Sequence, residues 1–223
     1  MITLHHLENS RSQRILWLLE ELQLPYQIKR YQRNATTLLA PPELKAVHPL
    51  GKSPVISDGD ITVAESGAII EYLLARYGNG QLQPPANSEA ARQYRYWLHY
   101  AEGSAMPPLL MHLVFSRLSL PPMPWLLRPL AGAIAKGVQK SYLGPQIRQH
   151  VAFMEAALAE SGWFAGDTFS AADIQMSFPL EAAQARGFID ARQPRLLAWL
   201  QAIHARPAYQ RALAQGGPYS LLR

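Results

Sequence analysis

Two folded units follow one another in this 223-residue chain. An α/β unit of order β-α-β-α-β-β-α is predicted over residues 1–79, and an all-helical unit over 89–223. Three observations lead there. Up to residue 77, short extended apolar runs interleave with runs of helical period. Residues 78–88 (GNGQLQPPANS) are rich in Gly, Pro and Asn without an apolar period, so they read as a connector, with 80–88 as the linker proper. From residue 89 onward apolar residues recur at helical spacing almost throughout.

The elements follow in order. Residues 2–7 (ITLHHL) read as a strand, ended by the polar cluster Glu8-Asn9-Ser10. Ile15, Leu16, Leu18, Leu19 and Leu22 share one face of a helix from about Arg11 to Leu22, with Ser10 at or near its N-cap. Tyr26, Ile28 and Arg30 alternate as a second strand, and Pro41-Pro42-Glu43 opens a short helix towards Val47. Pro54-Val55-Ile56 and Ile61-Thr62-Val63 make a hairpin around Asp58-Gly59. Ile69, Ile70, Leu73, Leu74 and Tyr77 form the apolar face of the closing helix. Five further helices are expected near 89–117, 126–160, 171–185, 192–204 and 206–214, the third opened by the capping-box pattern Ser170-Ala-Ala-Asp173.

Composition narrows the function. Hydrophobic residues make up 48% and charged residues 17%, which is globular rather than disordered. There is no cysteine, so disulfides, thiolate metal sites and an enzyme-borne sulfur nucleophile are all excluded. The N-terminal MITLHHLENS lacks a basic-then-apolar leader pattern, and a cytoplasmic protein is expected. A net charge of +5 leans towards anionic partners, but Lys and Arg are spread thinly, so no nucleic-acid partner is expected. The exception is residues 103–154, which lack Asp and Glu but hold Arg117, Arg128, Lys136, Lys140 and Arg148. Their apolar run is broken too often to span a bilayer, so they read as packed helices joined by a proline-rich loop, the alternative being a membrane-surface or subunit contact; no membrane contact is expected.

The motifs are each weighed against a structural reading. Leu50-Gly51-Lys52-Ser53 resembles the end of a phosphate-binding loop, but Ala46 stands where a Gly is needed, and Pro54 and a strand follow where a helix should begin. Nucleotide binding there is rejected. A cis Ser53-Pro54 bond would turn the backbone of Val55 outward for an extended peptide; a trans proline would merely start an edge strand. Glu65 and Ser66 precede the closing helix and suit an ammonium and a carboxylate respectively, or else are an ordinary cap with an acidic neighbour. Lys52 could hold a second carboxylate.

Ser10 and Ser12 flank the first helix start, where a hydroxyl and the helix dipole can stabilise an anion; the plain alternative is that Ser10 or Asn9 caps the helix. For a bound thiolate, a pKa lowered by two from about 8.5 corresponds to roughly 2.7 kcal/mol. His5 and His6 are expected to point one towards the core and one away, in structural roles, and no metal site is expected. Tyr94, Tyr96, Trp97 and Tyr100 read as core or interface, with some available to line an aromatic pocket.

Together these pieces resemble a cytosolic glutathione S-transferase of the serine type, in a group shared by fungi and bacteria. The resemblance covers essentially the whole chain and is carried by S-R-S-Q-R at 10–14, H-P-L-G-K-S-P-V at 48–55, A-E-S-G-A-I-I-E-Y-L at 64–73 and F-S-A-A-D-I at 169–174. It implies a thioredoxin-like N-terminal domain and an all-helical C-terminal domain. It further implies that Ser10 hydrogen-bonds the glutathione sulfur, with Asn9 and Ser12 as accessory positions, either of which could share or take that role. Lys52 then contacts the glycyl end, the Ser53-Pro54-Val55 turn pairs with the cysteinyl unit, and Glu65 with Ser66 holds the γ-glutamyl group. Isomerase-type relatives have a cysteine where this chain has Arg11, which disfavours that chemistry.

Expected from the resemblance are glutathione as cosubstrate with no permanently bound cofactor, a small hydrophobic electrophile as second substrate, a homodimer, and a peroxidase side activity by the same thiolate. Tyr100, Ser104, Met106 and Met111 are the candidate walls of the electrophile site. The alternative is a transferase-like binding or interaction module without turnover.

Overall fold

The computed structural model describes residues 1–34, 37, 39–217, 219 and 221. Its N-terminal sheet contains β1 (Ile2–Leu7), β2 (Tyr26–Tyr31), β3 (Val55–Asp58) and β4 (Ile61–Ala64), in spatial order β2-β1-β3-β4. Parallel pairing of β1 with β2, from Ile2↔Tyr26 to Leu7↔Tyr31, needs a crossover, and α1 (Ser12–Glu21) provides it. β3 returns antiparallel to β1, and β4 antiparallel to β3. Asp58 pairs with Ile61, so the hairpin turn is Gly59-Asp60, one residue later than the sequence reading placed it, with Gly59 at φ +60°. Asp58 instead serves α3 (Ser66–Tyr77), accepting from the hydroxyls of Tyr72 and Tyr77. The short α2 (Glu43–Val47) covers the other face through Leu44, which packs with Leu7 and Tyr31.

The connector leads into a helical domain of α4 (Glu89–Tyr100), α5 (Met106–Ser116), α6 (Arg128–Val138), α7 (Gly144–Ala157), α8 (Ala171–Ala185), α9 (Pro194–His204) and α10 (Pro207–Gly216). The two long helices expected from periodicity are each interrupted by a π turn, at Ala101–Ala105 and Gln139–Leu143. Prolines explain both. Pro107, Pro108 and Pro145 lack the N–H that would bond the carbonyls of Gly103, Ser104 and Ser141, and their rings would clash there, so the preceding turn widens. Ser170 and Asp173 form the expected capping box, and Asp173 also accepts from Phe164 N–H and the Trp199 indole.

One hydrophobic core runs through both domains. Helix α1 is its centre: residues Ser12 to Leu19 are all buried, because α3, α8 and α10 pack against it as well as the sheet. Among the described residues no helix is long and apolar enough to cross a membrane.

Candidate functional site

The end of β1 organises the site. Ser53 Oγ accepts from Leu7 N–H at 3.3 Å and donates to the His5 carbonyl at 2.9 Å. On the other side, Ser10 Oγ donates to the Leu7 carbonyl at 2.7 Å. One residue thus ties the 50–55 loop to the start of α1. The Ser53-Pro54 bond is cis, and Val55 opens β3 fully buried, in register with both His5 and Ala64. Lys52 is exposed and has no hydrogen-bond or ion-pair partner among the described residues.

Ser10 caps α1 although the helix proper begins at Ser12: its carbonyl accepts from Gln13 N–H and its Oγ from Ser12 N–H, each at 3.2 Å. It is 5% exposed. Ser12 is fully buried, 2.8 Å from Ser10 Oγ and 2.9 Å from His6 Nδ1. Burial lowers the His6 pKa to about 4, helped by Arg30 and opposed by the Gly216 backbone, so the ring is neutral at pH 7. His5 is buried as well, bonded to Tyr31 Oη and Ser57 Oγ. The expected outward histidine therefore does not exist: β1 lies inside the sheet with both faces covered. Asn9 has φ +48°, a left-handed turn residue that feeds the chain into the cap.

At the opposite corner Glu65 occupies φ +70°, ψ 125°, a conformation that costs a non-glycine residue about 1–3 kcal/mol. Its carboxylate is exposed and has no partner among the described residues. Ser66 follows, buried, at the first position of α3. Ser66 Oγ accepts from the Arg14 guanidinium at 2.6 Å, so its own proton is left to donate elsewhere.

Arg14 is buried, and its position has a backbone cause. Pro179 inside α8 has no N–H to give the Gln175 carbonyl, and Arg14 supplies the missing donor at 2.7 Å. Arg14 also pairs with Glu102, which Arg11 Nε meets at 2.9 and 3.0 Å. Burial alone would raise the Glu102 pKa, but Arg14 and Arg11 outweigh it and hold the carboxyl below its usual range. Both guanidinium groups lie over the Phe178 ring. Glu102 stands in the first π turn, so a widened turn of the helical domain reaches the start of α1 and, through Arg14, the start of α3.

Ser10, Ser53, Pro54, Val55 and Ser66 are thus joined through Leu7 and the first turns of α1. The four candidate walls of the electrophile site do not come together in the same way. Tyr100 is buried on the opposite side of its helix from Glu102, bonded to His150 Nδ1 and packed on Phe153. Met106 is buried in the core, Ser104 is half-buried in the π turn, and Met111 is 45% exposed. Tyr94 and Trp97 are core residues, and Tyr96 is partly exposed. Sequence reasoning gave no role to Arg14 or Glu102. One signal was present: Glu102 is the last carboxylate before the acid-free stretch 103–154.

A thioredoxin-like domain with a cis proline leading into its interior strand β3, beside a capped helix start and a Glu-Ser helix start, joined to an all-helical domain, defines the class of this two-domain protein. Comparison identifies it further. Residues 1–75 match the family model described as glutathione S-transferase, N-terminal domain, and residues 140–202 match the C-terminal one. The chain is 37% identical to glutathione S-transferase 3 of Schizosaccharomyces pombe over 93% of its length and 85% of that protein. It is 35% identical to glutathione S-transferase 1 of Saccharomyces cerevisiae, over 94% and 92%. A crystal structure of a glutathione S-transferase from Actinobacillus pleuropneumoniae superposes with a TM-score of 0.83 at 36% identity, covering 100% of this chain and 96% of that one. The chain belongs to the glutathione S-transferase family. It is a transferase, with glutathione as its cosubstrate.

Proposed function

We propose that glutathione lies extended across the N-terminal domain with its γ-glutamyl group at Glu65-Ser66 and its cysteinyl unit at Val55. Its sulfur then lies at Ser10, and Lys52 reaches the glycyl carboxylate. The observation that carries this reading is the start of α3. Ser66 Oγ already accepts from Arg14 and keeps its own proton to offer a carboxylate, and the Glu65 carboxylate, without a partner among the described residues, stands beside it for an ammonium. An amino-acid head group needs that pair of opposite demands, and the positive end of α3 adds to the carboxylate side. Strain held at Glu65 fits a residue placed for a ligand rather than for folding.

With the head group held, Ser10 stabilises the thiolate, and the thiolate attacks an electrophile presented from the helical domain. Catalysis is thiolate stabilisation plus proximity. The same thiolate can reduce a peroxide, giving a side activity. A homodimer in the cytoplasm completes the reading, supported by the family rather than by contacts within one chain.

Retention on immobilised glutathione, followed by conjugation of a chlorodinitrobenzene-type electrophile, tests it. Wild type is expected to bind and turn over. Glu65→Gln is expected to weaken glutathione binding about tenfold or more, the scale of one charge-assisted hydrogen bond. Ser10→Ala is expected to keep binding and lose most of the conjugation rate. Unchanged binding in Glu65→Gln would remove the head-group assignment, and an unchanged rate in Ser10→Ala would remove the sulfur assignment.

A further inference from the structure

Beneath the cap of α1 lies a chain of hydroxyls that ends on a buried imidazole: Ser10 Oγ to Ser12 Oγ at 2.8 Å, then Ser12 Oγ to His6 Nδ1 at 2.9 Å. All three residues are at most 5% exposed. The Leu7 carbonyl sits between the two hydroxyls, 2.7 Å from Ser10 Oγ and 3.2 Å from Ser12 Oγ, and can only accept. At the far end the Gly216 backbone bonds the His6 ring in the sense that favours its proton, as a carbonyl does. With the ring proton on Nε2, the tautomer in which that carbonyl is served, Nδ1 accepts from Ser12. Helix α10 packs closely on α1 here: a Cβ at Gly216 would lie 2.5 Å from the movable Gln13 Oε1 and 3.1 Å from Leu16 Cδ2.

Counting protons shows the consequence. Ser12 gives its proton to His6 Nδ1, and Ser10 gives its own to the Leu7 carbonyl or to Ser12 Oγ. At rest every proton in the chain points inward, away from the cleft. A Ser10 that donates to a bound thiolate must first leave the Leu7 carbonyl. Ser12 is the only other hydroxyl beside that carbonyl among the described residues, and His6 competes for its proton. His6 does not itself take the thiol proton: its pKa of about 4 lies about 4.5 below a free thiol, more than ten-thousandfold against transfer.

We propose that Ser12 and His6 are positioning residues that set how readily Ser10 turns its proton to the glutathione sulfur, Ser12 by covering the Leu7 carbonyl and His6 by drawing the Ser12 proton away. The proposal rests on Ser10 contacting sulfur, as read above. Arg30 on β2 is the cation facing His6, and Arg11 and Arg33 flank the 8–11 turn; none of them changes in the variants below.

The experiment titrates the ultraviolet thiolate absorbance of bound glutathione against pH and measures glutathione affinity in parallel. Ser12→Ala removes the covering hydroxyl and is expected to raise the bound-thiol pKa by about one, a tenfold loss of thiolate. His6→Phe frees the Ser12 proton and is expected to lower the pKa. His6→Asn, whose Oδ1 can stand where Nδ1 stands, is expected to restore the wild-type value. Opposite signs from two neighbouring buried residues are not what general damage produces. Shifts of the same sign, or none, with Ser10→Ala still raising the pKa, would overturn the proposal and leave the glutathione reading standing. An unchanged pKa in Ser10→Ala would instead overturn the reading beneath it. Should His6→Phe fail to fold, Ser12→Ala decides alone: no rise overturns the proposal.

Discussion

Acid should expose His6 as a stability determinant. In the folded chain its pKa is about 4, against 6.5 for the free side chain. The unfolded chain therefore binds a proton as pH falls below about 6.5, whereas the folded chain resists until about 4. The stabilising contribution is complete above pH 6.5, declines between 6.5 and 4, and is gone below. A gap of about 2.5 at roughly 1.4 kcal/mol per pKa unit gives about 3 kcal/mol, an order-of-magnitude figure and a large share of a domain's net stability. Urea unfolding at pH 7, 5.5 and 4, at one fixed protein concentration, compares wild type with His6→Asn. Carboxylates such as Glu102 titrate in both chains and cancel in the difference. Wild type should lose about 3 kcal/mol more than His6→Asn across this range. Parallel loss in the two proteins would show that His6 is not held neutral by burial, and would remove the assigned ring proton.

Two further predictions concern Arg14, which bridges the domains, and Asp173, which caps a helix inside the second one. Arg14→Lys keeps the charge but loses the fork that reaches Ser66, Gln175 and Glu102 together, and should weaken glutathione binding about tenfold to a hundredfold by calorimetry; unaltered affinity would mean that Ser66 does not depend on Arg14. Asp173→Asn turns an amide N–H against the Phe164 N–H, Ser170 N–H or Trp199 indole and should cost about 3 kcal/mol in thermal or urea unfolding, with glutathione affinity per folded molecule unchanged.

Local patterns carried much of the fold. The strand of residues 2–7, the cap at Ser10, the connector and the capping box at Ser170 each depend on a few neighbouring residues, and those are readable in order along the chain. Failures came where the other domain intervenes. Period alone makes α1 amphipathic, with Gln13 and Arg14 outward; α8 and α10 bury that face too. Alternation along β1 sends one histidine outward, but both faces of the strand are covered. The π turns were hidden because periodicity averages across them, although the prolines that cause them were in plain view. Tyr100 bonds His150 and Met106 lies in the core, placements that composition alone does not give.

The site itself divides along the same line. Glu65, Ser66 and the 52–55 turn stand out in the sequence because the features that mark them are local: a helix start, an X-Pro bond and a hairpin. What makes Ser66 a donor was not legible, since it begins at Pro179 in the distant α8. A missing N–H there leaves the Gln175 carbonyl open, Arg14 is drawn into the core to fill it, and the other arm of the guanidinium donates to Ser66 Oγ. Glu102 balances the buried charge from a turn that exists only because Pro107 and Pro108 cannot close a normal one. Two sets of prolines in the helical domain thus act, through Arg14 and Glu102, on the surroundings of Ser66 in the N-terminal domain. The starts of α1 and α3 are therefore held by contacts that exist only when the two domains are docked.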